Sequence, residues 1–99
     1  MIKLVVAYGQ PENPEEFDSY YASTHVPITE KIPGLRRFDA GKVLGTPDGS
    51  EAPYYYLAEL SFDDMETFQS ALGSPEGQAA AGDVPNFASG GVTMMIAEV

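Results

Sequence analysis

Ninety-nine residues carry a formal net charge of −10, from 5 Lys and Arg against 15 Asp and Glu, and that balance makes nucleic acid and anionic membrane surfaces poor partners, since phosphate recognition needs cations. Cysteine is absent, which removes disulfides, thiolate nucleophiles, cysteine metal sites and iron–sulfur clusters. At 43% hydrophobic and 20% charged residues the composition is that of a globular protein, and the length sets one domain over 1–99 as the default.

In chain order, "IKLVVAY" (2–8) is β-branched and apolar and predicts a strand. Its apolar run is too short for a signal peptide, and no stretch approaches the ~20 apolar residues of a membrane span, so a soluble cytoplasmic protein is expected. A helix follows. Asn13 is a good N-cap, Pro14 suits the first helical position, and Glu16 completes a capping box. Phe17, Tyr20, Tyr21, Thr24 and Ile28 form a stripe at 3–4 spacing. Pro27 lacks an N–H and disfavours α geometry in Val26, so the helix is predicted to end or kink near His25.

Residues 36–45 predict a second strand in which Gly41 is the candidate for a bulge. A loop over 46–53 carries the turn pair Asp48-Gly49, and "YYYLAELSF" (54–62) predicts a third strand. Asp63 with Glu66 reads as a capping box opening a helix over about 64–72, and Ser74-Pro75 starts a short helix over 75–81. "GDVPNFASGG" is a loop, and "VTMMIAEV" is the last strand. The order β-α-β-β-α-β, with the short extra helix before the final strand, gives an α+β class: a ferredoxin-like sandwich with a four-stranded antiparallel sheet and helices on one face.

A sheet with one wet face should alternate apolar and polar residues. These strands do not: Val5 and Ala7 oppose Ile2, Leu4, Val6 and Tyr8, Leu57 opposes Ala58 and Leu60, and Met95, Ala97 and Val99 oppose Val92, Met94 and Ile96. Two short helices cover one face only, so the pattern predicts a two-fold homodimer packed through its sheet faces. The pattern leaves open which face meets the helices.

Candidate chemistry converges on "FDSYYASTHVPI" (17–28), which holds the single histidine, His25. Imidazole takes or gives a proton near neutral pH, and Tyr21 lies one helical turn upstream with Tyr20 beside it. That is a workable acid–base group. The structural alternative has His25 capping the last carbonyls of a helix, with the tyrosines as core residues carrying wet tips. Phosphate loops, dinucleotide fingerprints and nucleophile elbows are missing, and one imidazole among carboxylates has no spacing that supports a metal.

The stretches "FDSYYASTHVPI", "KIPGLRRF" and "SPEGQAAAGDVPNFASGG" resemble the EthD family, named for a protein of ethyl tert-butyl ether degradation, over nearly the whole chain. Tyr20, Tyr21, His25 and Pro27 stand at the positions of its first motif, and Asp83, Asn86 and Phe87 at those of its second. The resemblance implies a dimeric α/β barrel. It implies less about reaction: members are often labelled reductases or ether-degradation proteins, and the shared fold serves cofactor-free monooxygenases, cyclases, isomerases and haem enzymes. The resulting expectation is a small enzyme without cofactor or metal, acting on a small apolar or aromatic oxygenated metabolite. His25 is the general acid or base, Tyr21 orients it or polarises a substrate oxygen, and Tyr20 and Phe87 line the substrate pocket. A non-catalytic protein that binds a hydrophobic metabolite is the alternative, and a haem protein with His25 as axial ligand is the third.

Overall fold

The computed structural model describes residues 1–99 as β1 (Ile2–Tyr8), α1 (Pro14–Tyr20), a π-helical turn (Tyr21–His25), α2 (Val26–Thr29), β2 (Arg37–Lys42), β3 (Tyr56–Phe62), α3 (Met65–Gly73), α4 (Pro75–Asp83), a 3₁₀ turn (Val84–Asn86) and β4 (Val92–Glu98). The strands form one antiparallel sheet in the order β2-β3-β1-β4. This is the ferredoxin-like α+β arrangement. No helix is long and apolar enough to cross a membrane.

Strand alternation decides which face the helices cover. Ile2, Val6 and Tyr8 of β1 are buried, as are Ala58, Leu60 and Phe62 of β3, and the register sets Val6 opposite Ala58 and Leu4 opposite Leu60 on that face. Phe17, Tyr21, Phe68, Ala71, Ala80 and Val84 close the core from the helical side. The opposite face carries Val5, Leu57, Met95 and Ala97 around a Lys3–Glu59 ion pair of 3.3 Å.

The helix starts follow local chemistry. Asn13 accepts from the Glu16 amide at 3.2 Å, as its capping position predicts. The next cap is Asp64, which accepts from the Thr67 amide at 2.8 Å, one residue later than predicted. Asp63 instead takes both Nε and Nη2 of Arg36, each at 3.0 Å. Ser74 ends α3 and starts α4: its hydroxyl donates to the Ala71 carbonyl at 2.6 Å and accepts from the Gly77 amide at 3.0 Å.

Other sequence-based boundaries shift. Gly41 makes no bulge, because it pairs with Leu57 in an unbroken register from Arg37 to Lys42. Beyond those ends the ladder thins to single bonds, Val43 N–H to the Tyr55 carbonyl at 2.9 Å and Tyr55 N–H to the Tyr8 carbonyl at 2.7 Å. Gly9 and Gly90 cross so closely that a Cβ on Gly9 would lie 2.2 Å from the Gly90 carbonyl oxygen. That crossing ties the loop before β4 to the exit of β1 and seats Phe87 in the core.

Candidate functional site

The site is built where the first helical segment changes winding. Pro27 has no N–H to give, and the chain answers with a π turn rather than a helix end: Val26 N–H reaches back to the Tyr21 carbonyl, and α helix resumes with Glu30 N–H on the Val26 carbonyl at 2.9 Å. His25 therefore lies inside a helical segment that runs on to Thr29, which removes the helix-end capping role considered for it.

Its ring is directed inward, with 5% of the residue exposed. Nδ1 lies 2.9 Å from Asp83 Oδ2, at the last residue of α4. The other carboxylate oxygen, Oδ1, accepts from the Tyr20 hydroxyl at 2.5 Å and from Asn86 Nδ2 at 3.1 Å. Burial raises the Asp83 pKa, but the donors Tyr20, His25 and Asn86 outweigh it and hold the carboxyl below its ordinary value. An ionised carboxylate can only accept, so Nδ1 carries the hydrogen; in the neutral ring the lone pair is then on Nε2. Nε2 makes no hydrogen bond within the protein.

His25 and Tyr21 share a cavity of about 90 Å³ between sheet and helices, walled mostly by apolar side chains including Val6, Phe38, Leu60, Phe62 and Val84. Leu72 and Met94 also line it and are exposed, so it reaches the surface there. Two buried hydroxyls of lining residues, Tyr21 Oη and Thr29 Oγ1, make no hydrogen bond of good geometry, with the Tyr8 phenol standing beside Tyr21. Such a group costs about 1–3 kcal/mol. Burial pushes the Tyr8 phenol up to about 12 and raises Tyr21 as well, so both stay protonated and act as donors near neutrality. No group of three or more His, Asp or Glu side chains converges in a way that could hold a metal ion.

The four residues singled out from sequence divide between two sides of one wall. Tyr21 and His25 line the inner cavity, their rings 5.1 Å apart and tilted by 46°. No hydrogen bond joins them; the group that orients His25 is Asp83 instead of Tyr21. The Tyr21 ring itself is core, stacked on Phe17 at 5.7 Å and 4.6 Å from Tyr56. Tyr20 and Phe87 line a separate outer groove of about 510 Å³ with Glu12, Glu16 and Asn86. Phe87 still touches the imidazole, with ring centroids 4.6 Å apart. Asp83 received no role from sequence because it lies 58 positions from His25, and Thr29 offered no signal of its own.

Comparison with known proteins places the chain. A family model described as the EthD domain matches residues 9–91. An uncharacterised 11.0 kDa protein in the thcB–thcC intergenic region of Rhodococcus erythropolis is 45% identical over 98 residues, which is 99% of this chain and 94% of that protein. The crystal structure of an ethyl tert-butyl ether degradation (EthD) family protein from Bacillus halodurans superposes with a TM-score of 0.93 at 41% identity, covering 100% of this chain and 98% of that one. SnoaB from Streptomyces nogalater, described as a cofactor-independent oxygenase, shares the fold alone, with a TM-score of 0.67, 20% identity and 99% and 91% coverage. Three further structures of 14%, 16% and 21% identity are described as dimeric proteins of ferredoxin-like fold.

Proposed function

The chain belongs to the EthD family, and we propose that within it this protein is a small acid–base enzyme that works without a cofactor on a small, apolar, oxygenated molecule, with His25 as the proton-transferring group. The observation that carries this reading is the buried His25–Asp83 pair, joined at 2.9 Å through Nδ1 and leaving Nε2 without a protein partner on a residue that lines an apolar cavity. A carboxylate behind one imidazole nitrogen fixes the tautomer and orients the ring, leaving the lone pair of the other nitrogen free to take a proton. The description of SnoaB as cofactor-independent supports the same class of chemistry on this fold. Sheet-face homodimerisation is part of the proposal, supported by the apolar open face and by the neighbours described as dimeric.

Binding without turnover is the second reading, favoured by the depth of Tyr21 in the aromatic core. A haem fits poorly: the cavity that His25 lines holds about 90 Å³, against the roughly 300 Å³ at which sites for larger ligands begin. The test is a panel of neutral oxygenated compounds followed by NMR for conversion or solvent hydrogen exchange. Wild type should turn over at least one compound, and His25→Asn should bind it and leave it unchanged. Binding across the panel with no conversion by wild type would favour the second reading.

A further inference from the structure

We infer that the cavity selects a neutral molecule bearing an acceptor oxygen, bound by the hydroxyls of Tyr21 and Thr29, with the ionisable hydrogen beside that oxygen presented to His25 Nε2: an enolisable ketone or aldehyde, or an enol. This rests on the acid–base reading of His25 and adds the substrate's chemical class and the residues that recognise it.

Three observations converge on that class. Tyr21 and Thr29 are 1% and 2% exposed and line the cavity, and their hydroxyls make no hydrogen bond of good geometry in the fold, the Tyr8 phenol beside Tyr21 being the one group that competes for its proton, so the wall offers two hydroxyl donors to an occupant. Second, no Lys or Arg lines the cavity, and the Asp83 carboxylate lies directly behind His25. An anionic substrate would be desolvated without a counter-charge, which excludes carboxylates and phosphates. Third, a void of about 90 Å³ is smaller than the roughly 150 Å³ engineered cavity that takes benzene, so the occupant is small or the walls give slightly.

The step these groups perform is a balanced proton transfer. The Nε2 lone pair takes the hydrogen from the carbon next to the carbonyl. The C–H electron pair becomes the C=C bond of an enolate, and the carbonyl π pair moves onto oxygen. Tyr21 and Thr29 donate hydrogen bonds to that oxygen as its charge grows. Imidazolium, held against Asp83, returns the proton to carbon or oxygen, and no oxidant or reductant is needed.

The test uses acetone, its oxygen-free isostere 2-methylpropene, and the isosteric anion acetate, all small enough for the void, with binding read by ligand-observed NMR and α-hydrogen exchange read in D₂O. Acetone should bind, and the other two should bind at least severalfold more weakly. Tyr21→Phe and Thr29→Val each remove one orphan hydroxyl at constant shape. Each should weaken acetone binding roughly 2- to 10-fold, the worth of one hydrogen bond, while the melting temperature holds or rises. That opposite movement separates a ligand-binding hydroxyl from a structural one. Acetone failing to bind, binding no better than either analogue, or binding unchanged in both variants would overturn the inference. Exchange by wild type is read separately. Selective, hydroxyl-dependent binding without exchange keeps the substrate class and removes the acid–base role of His25.

Discussion

At the scale of single residues, His25 was legible because it is the one imidazole in the chain, and its partner was not. Helical spacing pointed to Tyr21, four positions away, whereas the group that touches the ring is Asp83, delivered by the end of α4. Pairings across 58 positions are set by packing, which no local pattern encodes. Asp83→Asn tests the pairing. An amide keeps one oxygen for Tyr20 but turns a donor toward Nδ1, so the histidine must change tautomer; proton transfer should fall roughly 100-fold or more while the fold persists. The pH dependence of stability has a definite sign. Asp83 has a folded pKa below its ordinary value, so it stabilises the fold above the unfolded carboxylate pKa of about 3.9. That contribution is lost as pH falls through the lower folded value. Urea titrations below about pH 4 should therefore show a steeper loss in wild type than in Asp83→Asn. Parallel acid limbs would contradict the assignment.

At the scale of elements, Pro27 was read as an end or a kink near His25, and the structure has an irregularity there, a π turn that absorbs the missing donor while the helical path continues to Thr29. A proline announces a break in the ladder but not how packing repairs it, and here Phe17, Tyr21 and His25 are all buried on the inner side. Caps were more legible, since Asn13 and Ser74 bond to amides three residues on. The joint between α3 and α4 gives a prediction. A Cβ on Gly77 would sit 2.0 Å from the Ala71 carbonyl oxygen, which is backbone and cannot swing away. Gly77→Ala should cost about 1–3 kcal/mol, lowering the melting temperature by roughly 4–8 °C per kcal/mol. Ser74→Ala loses an N-cap and should cost about 1 kcal/mol. Calorimetry checks both, and an unchanged melt for Gly77→Ala would mean that the helices pack less closely than described.

At the scale of the whole molecule, strand order followed from element order, and the two-sided apolar pattern of the strands was visible in sequence. What the pattern could not assign, which face the helices cover, is decided by the large side chains Tyr8 and Phe62 packing under the helices. Leu57, Met95 and Val99 remain 37%, 52% and 69% exposed in the single chain. Leu57→Asp or Met95→Asp should break the proposed dimer or lower solubility, because a sheet-to-sheet contact would bury an unpaired charge. Light scattering at micromolar concentration reads the outcome, and a wild-type monomer there would contradict the dimer. The central claim is that Asp83 holds His25 with its Nδ1 protonated and Nε2 free. Because the molecule has one histidine, ¹⁵N NMR of the imidazole reads that state without ambiguity. In the neutral ring the account predicts the Nδ1–H tautomer in wild type and its loss in Asp83→Asn. A dominant Nε2–H tautomer in wild type, or spectra unchanged by the substitution, would contradict it.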